Sequence, residues 1–87
     1  MKTEQAKTRP AAEVRFGNIR AAIWKNVSEG GPWYNVTIER TYRDGEDLRS
    51  TQSFGRDDLL TLAKVADHAH SEIFSLQRAD SAESTHG

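Results

Sequence analysis

Three stretches of this chain carry the alternation of β-strands, and only one carries the apolar stripe of a helix; a two-faced sheet therefore has a single helix with which to cover itself. Alternate positions of Asn18 to Trp24, Trp33 to Arg43 and Arg49 to Ser53 put Arg20, Trp24, Trp33, Asn35, Thr37, Thr41, Arg43, Arg49, Thr51 and Ser53 on one side. The other side collects Ile19, Ala21, Ile23, Tyr34, Val36 and Ile38. One helix buries only the apolar side. The polar side must face water or a ligand, and Trp, Arg and Thr suit a nucleic-acid strand better than a small-molecule pocket.

The helix is expected to start at Gly55-Arg56-Asp57-Asp58, where either Asp caps free N–H groups. Leu59, Leu62, Ala63, Val65, Ala66, Ala69, Ile73 and Leu76 then form one broad stripe to about Gln77. A helix of that length, on the order of 30 Å, overhangs strands of five to seven residues. Leu60, Ile73, Phe74 and Leu76 are thus the candidates for contact with a second subunit.

Several strand details stay open in the sequence. Gly17-Asn18 reads as a two-residue hairpin turn or as a bulge, so the strand count is three or four. Either form brings Arg15 to the polar face near Arg20, where two like charges are unfavourable unless an anion or a neighbouring acid relieves them, which favours the bulge or a bound phosphate. Asn26 to Pro32 reads as a turn, and Asp44-Gly45 as a hairpin. Arg40 interrupts the apolar parity between Ile38 and Tyr42, placing it beyond the edge of the covering helix or at a second bulge. Leu48 to Phe54 reads as an edge strand whose core side is Leu48, Ser50, Gln52 and Phe54.

The expected organisation is a disordered, mildly basic arm over residues 1–12, one α+β domain over 13–77, and a disordered tail over 78–87. Its fold class is an antiparallel curved sheet of three or four strands followed by one long C-terminal helix packed on one face. A single core of this size supplies only about 3–5 kcal/mol, and small proteins usually add disulfides, a metal or a partner. Cysteine is absent and the three histidines form no recognised zinc pattern, which leaves a homodimer as the expected staple. His68 and His70 point about 200° apart on a helix and do not share a metal. No apolar run reaches the ~20 residues of a membrane span and no export signal is recognisable, so the expected location is the cytoplasm.

For catalysis the chain has no cysteine and no serine in a nucleophile-elbow context, and Asp57 and Asp58 have an ordinary capping role. It reads as a non-enzyme without cofactor, metal or small-molecule substrate. The formal net charge of −1 argues against a strongly electrostatic DNA-coating protein. Positive charge is nevertheless biased to the strands and negative charge to the helix and one loop tip. Trp24 and Trp33 are read as stacking platforms, Arg15, Arg20, Arg43 and Arg49 as phosphate contacts, and Asn35, Thr37, Thr41 and Thr51 as hydrogen-bonding groups.

The run Val14-Arg15-Phe16-Gly17-Asn18-Ile19-Arg20-Ala21-Ala22-Ile23-Trp24, followed by Tyr34-Asn35-Val36-Thr37 and Phe54-Gly55-Arg56-Asp57-Asp58-Leu59-Leu60, resembles a group of small bacterial proteins with the same pattern. That resemblance brings no function with it. The order of a curved sheet and one long helix is also similar to the single-stranded-DNA-binding fold of the transcriptional coactivator and Whirly-type proteins. This second resemblance is architectural and implies helices that pair subunits and sheets that present aromatic and basic residues to unpaired strands. The expected function is non-catalytic binding of single-stranded DNA or RNA by a homodimer through the uncovered face. The alternative is a protein-interaction module that docks a partner on that face or on the Leu48 to Phe54 edge.

Overall fold

The computed structural model describes residues 9–86, with side chains through residue 82. Strands β1 (Ala12–Phe16), β2 (Ile19–Ser28), β3 (Gly31–Asp44) and β4 (Asp47–Thr51) form one antiparallel sheet in the order β1-β2-β3-β4. A 3₁₀ turn at Arg56–Asp58 leads into helix α1 (Leu59–His86). The α+β class and the succession of sheet then helix agree with the sequence.

Gly17-Asn18 is a turn, not a bulge: Phe16 pairs with Ile19, Val14 with Ala21 and Arg15 with Arg20. Gly17 takes φ 61°, the left-handed value that a tight hairpin needs at its first central position and that glycine adopts without steric cost. Asn18 ties this turn to β3, accepting from the Thr41 N–H at 2.8 Å and donating from Nδ2 to the Thr41 carbonyl at 3.1 Å.

The core is small and centred on β2. Ile19, Ala21 and Ile23 are fully buried and meet Val65 and Ala69 of α1. Ala12, Val14 and Phe16 of β1, Tyr34, Val36 and Ile38 of β3, and Phe54, Leu62, Ile73 and Leu76 pack around them. Helix α1 lies over β1 and β2. Its β1 flank is marked by His68, whose ring meets Phe16 edge-on at 4.8 Å, and by Lys64, 5.8 Å from the same ring.

The helix is tied to the sheet at its start and again at Asp80. At the start, the Asp58 carboxylate accepts from the Gly55 N–H at 2.8 Å and lies 3.3 Å from Arg40 Nε, which also donates to the Ser53 carbonyl. The strand register runs through Arg40 without a bulge, opposite Ile19 and Thr51, so Arg40 keeps the helix-side parity and sits at the helix entrance. Toward the other end, Asp80 accepts from the Tyr34 hydroxyl at 2.5 Å and from Lys25 Nζ at 3.0 Å. The helix therefore continues past the stop expected at Gln77, through most of the stretch read as a disordered tail. The N-terminal boundary also moves: the Ala11 N–H donates to the Ile23 carbonyl and Ala12 opens β1, while residues 1–8 of the expected arm lie outside the described residues.

These ties give two tests. Ile23→Ala is expected to cost about 2–5 kcal/mol, comparable with the whole stability of about 3–5 kcal/mol that one core of this size supplies. Urea unfolding should show a largely unfolded variant, whereas exposed Val27→Thr should stay within about 0.5 kcal/mol of the parent.

The second test concerns Asp80. The Tyr34 hydrogen bond and then the Lys25 ammonium hold its carboxyl below the usual range against a desolvation that opposes them; the Asp80 hydrogen bond and then burial raise the Tyr34 phenol, which Lys25 offsets in part. The depressed carboxyl contributes stability that is present above its unfolded value, about 3.9, and is lost as pH falls through the lower folded value. The raised phenol contributes below its unfolded value, about 10, and that part is lost as pH rises through the higher folded value. Asp80→Asn should therefore flatten both limbs of the stability–pH profile. Unchanged acid and alkaline limbs would show that the tie does not form.

Candidate nucleic-acid interface

The strand register sorts side chains onto the two faces without offset between neighbours. The face away from α1 carries Glu13 and Arg15 from β1, Arg20, Ala22, Trp24 and Asn26 from β2, and Trp33, Asn35, Thr37, Glu39, Thr41 and Arg43 from β3. Leu48 and Ser50, opposite Arg43 and Thr41, complete it from β4. Eight of the ten expected site residues are thus brought to one surface: Arg15, Arg20, Trp24, Trp33, Asn35, Thr37, Thr41 and Arg43.

Arg49 and Thr51 are not on it. They stand opposite Tyr42 and Arg40 on the helix side, and Arg49 Nε pairs with Asp44 at 2.9 Å. The reason is the hairpin: Asp44 pairs directly with Asp47 across Gly45-Glu46, which sets the β4 register. The sequence places Leu48, Ser50, Gln52 and Phe54 together on the core side of one strand. Phe54 does reach the core, but from the connection after β4 ends at Thr51, where strand alternation no longer applies. Ser53 belongs to that same connection.

The two tryptophans form a square with two asparagines. Trp24 is opposite Asn35 and Asn26 is opposite Trp33, so the indoles occupy one diagonal and the amides the other. Asn26 Nδ2 donates to Asn35 Oδ1 at 2.7 Å, and Trp24 Nε1 donates to Thr37 Oγ1 at 3.0 Å. Trp24 is half-buried and held, while Trp33 is 50% exposed. Asn26 was missed in sequence because it reads as the start of a turn; β2 instead continues to Ser28, and the loop shrinks to Glu29-Gly30.

Electrostatics on this face are largely internal. Arg20 donates to Glu39 at 2.7 Å and lies 3.8 Å from Glu13. That pairing offsets the repulsion from Arg15 directly opposite, with no need for a bulge or an anion. Glu39 was also missed, although it falls on the same alternation as Thr37 and Thr41. Arg15 and Arg43 take no ion pair among the described residues. From Trp33 to Arg43 the face runs eleven residues along β3, on the order of 30 Å at about 3.3 Å per residue.

Of the expected subunit contacts, Ile73 and Leu76 pack into the chain's own core, whereas Leu60 and Phe74 are exposed. Among the described residues no three His, Cys, Asp or Glu are grouped to hold a metal, and no helix is long and apolar enough to cross a membrane. In comparisons with known proteins, no family model, no curated protein and no solved structure matches the chain.

The different settings of the two indoles are measurable. In Trp24→Phe the remaining Trp33 emission should be readily quenched by iodide, and in Trp33→Phe the remaining Trp24 should be shielded. Equal quenching of both would contradict the packing of Trp24 beside Thr37.

Proposed function

We propose that this chain is a non-catalytic binder of single-stranded nucleic acid, engaged through the sheet face away from α1. The observation that carries the proposal is the half-exposed Trp33 with Trp24 on the same diagonal of a face that no other element of the described chain covers. A base offers a π-face to an indole whatever its identity. Trp33 serves as the primary stacking surface and Trp24, fixed by Thr37, as the supporting one. Arg15 and Arg43 contact phosphates, and Asn35, Thr37 and Thr41 supply hydrogen bonds. Arg20 has a smaller share, since two glutamates already engage it.

A second reading has one observation in its favour. Leu48 is 66% exposed on the same face of β4, whose outer edge has no neighbouring strand among the described residues. A polypeptide adding itself to that edge would cover Leu48 and use the free backbone groups.

Titration of tryptophan fluorescence with single-stranded oligonucleotides over a salt series tests the proposal. Trp33→Ala should weaken binding by about 1–3 kcal/mol, roughly 5- to 140-fold. With two available arginines, log K should fall against log salt with a slope of only about −1.4. Arg15→Glu with Arg43→Glu should abolish binding, and Arg49→Glu should leave it nearly unchanged. Absence of quenching at low salt, together with capture of a defined polypeptide through the β4 edge, would transfer the assignment to the second reading.

A further inference from the structure

One helix does not cover this sheet, and the uncovered part carries a specific geometry. Four strands at about 4.8 Å separation span roughly 15–20 Å, whereas a helix with its side chains is only about 10–12 Å wide. Helix α1 lies over β1 and β2, so the helix side of β3 and β4 stays partly open. Between α1 and β3 there is an apolar groove of about 200 Å³ lined by Val36, Ile38, Ala66, Ala69, His70 and Ile73. A cavity of about 150 Å³ already accepts a benzene-sized ring. On the same flank of the helix, one turn after His70, stands Phe74, 58% exposed. The surface therefore presents a hole and a knob side by side, which is what an isologous two-fold contact requires.

The charges on this flank agree. Asp67 lies five residues before Glu72 and Arg78 six residues after it, about 8–9 Å to either side at ~1.5 Å per residue. Neither has an ion-pair partner among the described residues, and both are exposed. When two copies of the helix run antiparallel with Phe74 beside the other copy's groove, the acidic position of one lies alongside the basic position of the other. The same arrangement supplies the staple that a cysteine-free core of this size needs.

We infer that the groove is the seat of a second copy of this chain: the α1 helices pair antiparallel, each Phe74 enters the other copy's groove beside His70, and Asp67 pairs with Arg78 across the axis. Two helices then form a middle layer between two sheets. The 87% exposed Leu60 is covered in that layer, and the tryptophan faces remain on the outside. The pairing is independent of whether those faces bind nucleic acid.

Sedimentation of the full chain without nucleic acid, at up to about 100 μM, tests the inference. The parent should be a dimer. Phe74→Asp should weaken association about 30-fold or more while far-UV circular dichroism stays unchanged, since Phe74 contributes little to the monomer core. Asp67→Arg and Arg78→Asp should each weaken association, and the two reversals together should restore it. A monomeric parent, a Phe74→Asp chain that still pairs, or charge reversals whose effects merely add would each overturn the inference. So would a groove found to take an unrelated apolar peptide in a monomeric chain.

Discussion

Burial of one face of β2 against two helical residues organises this molecule. Ile19, Ala21 and Ile23 meet Val65 and Ala69, and these five side chains are the centre against which the partly buried apolar groups of β1, β3 and α1 pack. Because the contact is narrow, the helix is committed to the β1 and β2 half of the sheet. Its ends need separate fastening, by Arg40 with Asp58 at the entrance and by Tyr34 and Lys25 with Asp80 farther along. The open groove beside β3 and the exposed tryptophan face are two consequences of the same shortage of cover.

The face away from the helix is polar without being strongly charged. Three arginines share it with two glutamates, and the glutamates are spent on Arg20. A ligand there gains more from flat aromatic surface than from ion pairing, which favours contacts tolerant of salt. The amide pair between the indoles holds the aromatic square in register through Asn26 and Asn35.

Much of this was legible from alternation alone. The assignments of β2 and β3 to two faces, the helix start and the hairpin at Asp44 all follow from local periodicity and turn chemistry. The parity of β4 did not, because Phe54 reaches the core from a connection and so mimics a strand position. Asn26 carried a turn-like composition into a strand. The helix stop was hidden for another reason: Asp80 is bound to Tyr34 and Lys25 across 46 and 55 residues, and no local pattern announces such a bond. The polar segment after Gln77 is helical, and one of its carboxylates is held by residues distant in sequence.

The strands are unequal, and the inequality has a consequence at the tryptophans. β1 accompanies β2 only as far as Ile23, and β4 accompanies β3 only from Arg40 onward. Beyond those limits the sheet narrows to a bare two-stranded ribbon, and Trp24, Asn26, Trp33 and Asn35 all lie on it. Two strands alone are marginal in water. Asp80 of the helix meets this ribbon from behind, accepting from Lys25 and Tyr34. The tip that carries the aromatic square is thus braced through Asp80 on the opposite side of the sheet from the surface it presents.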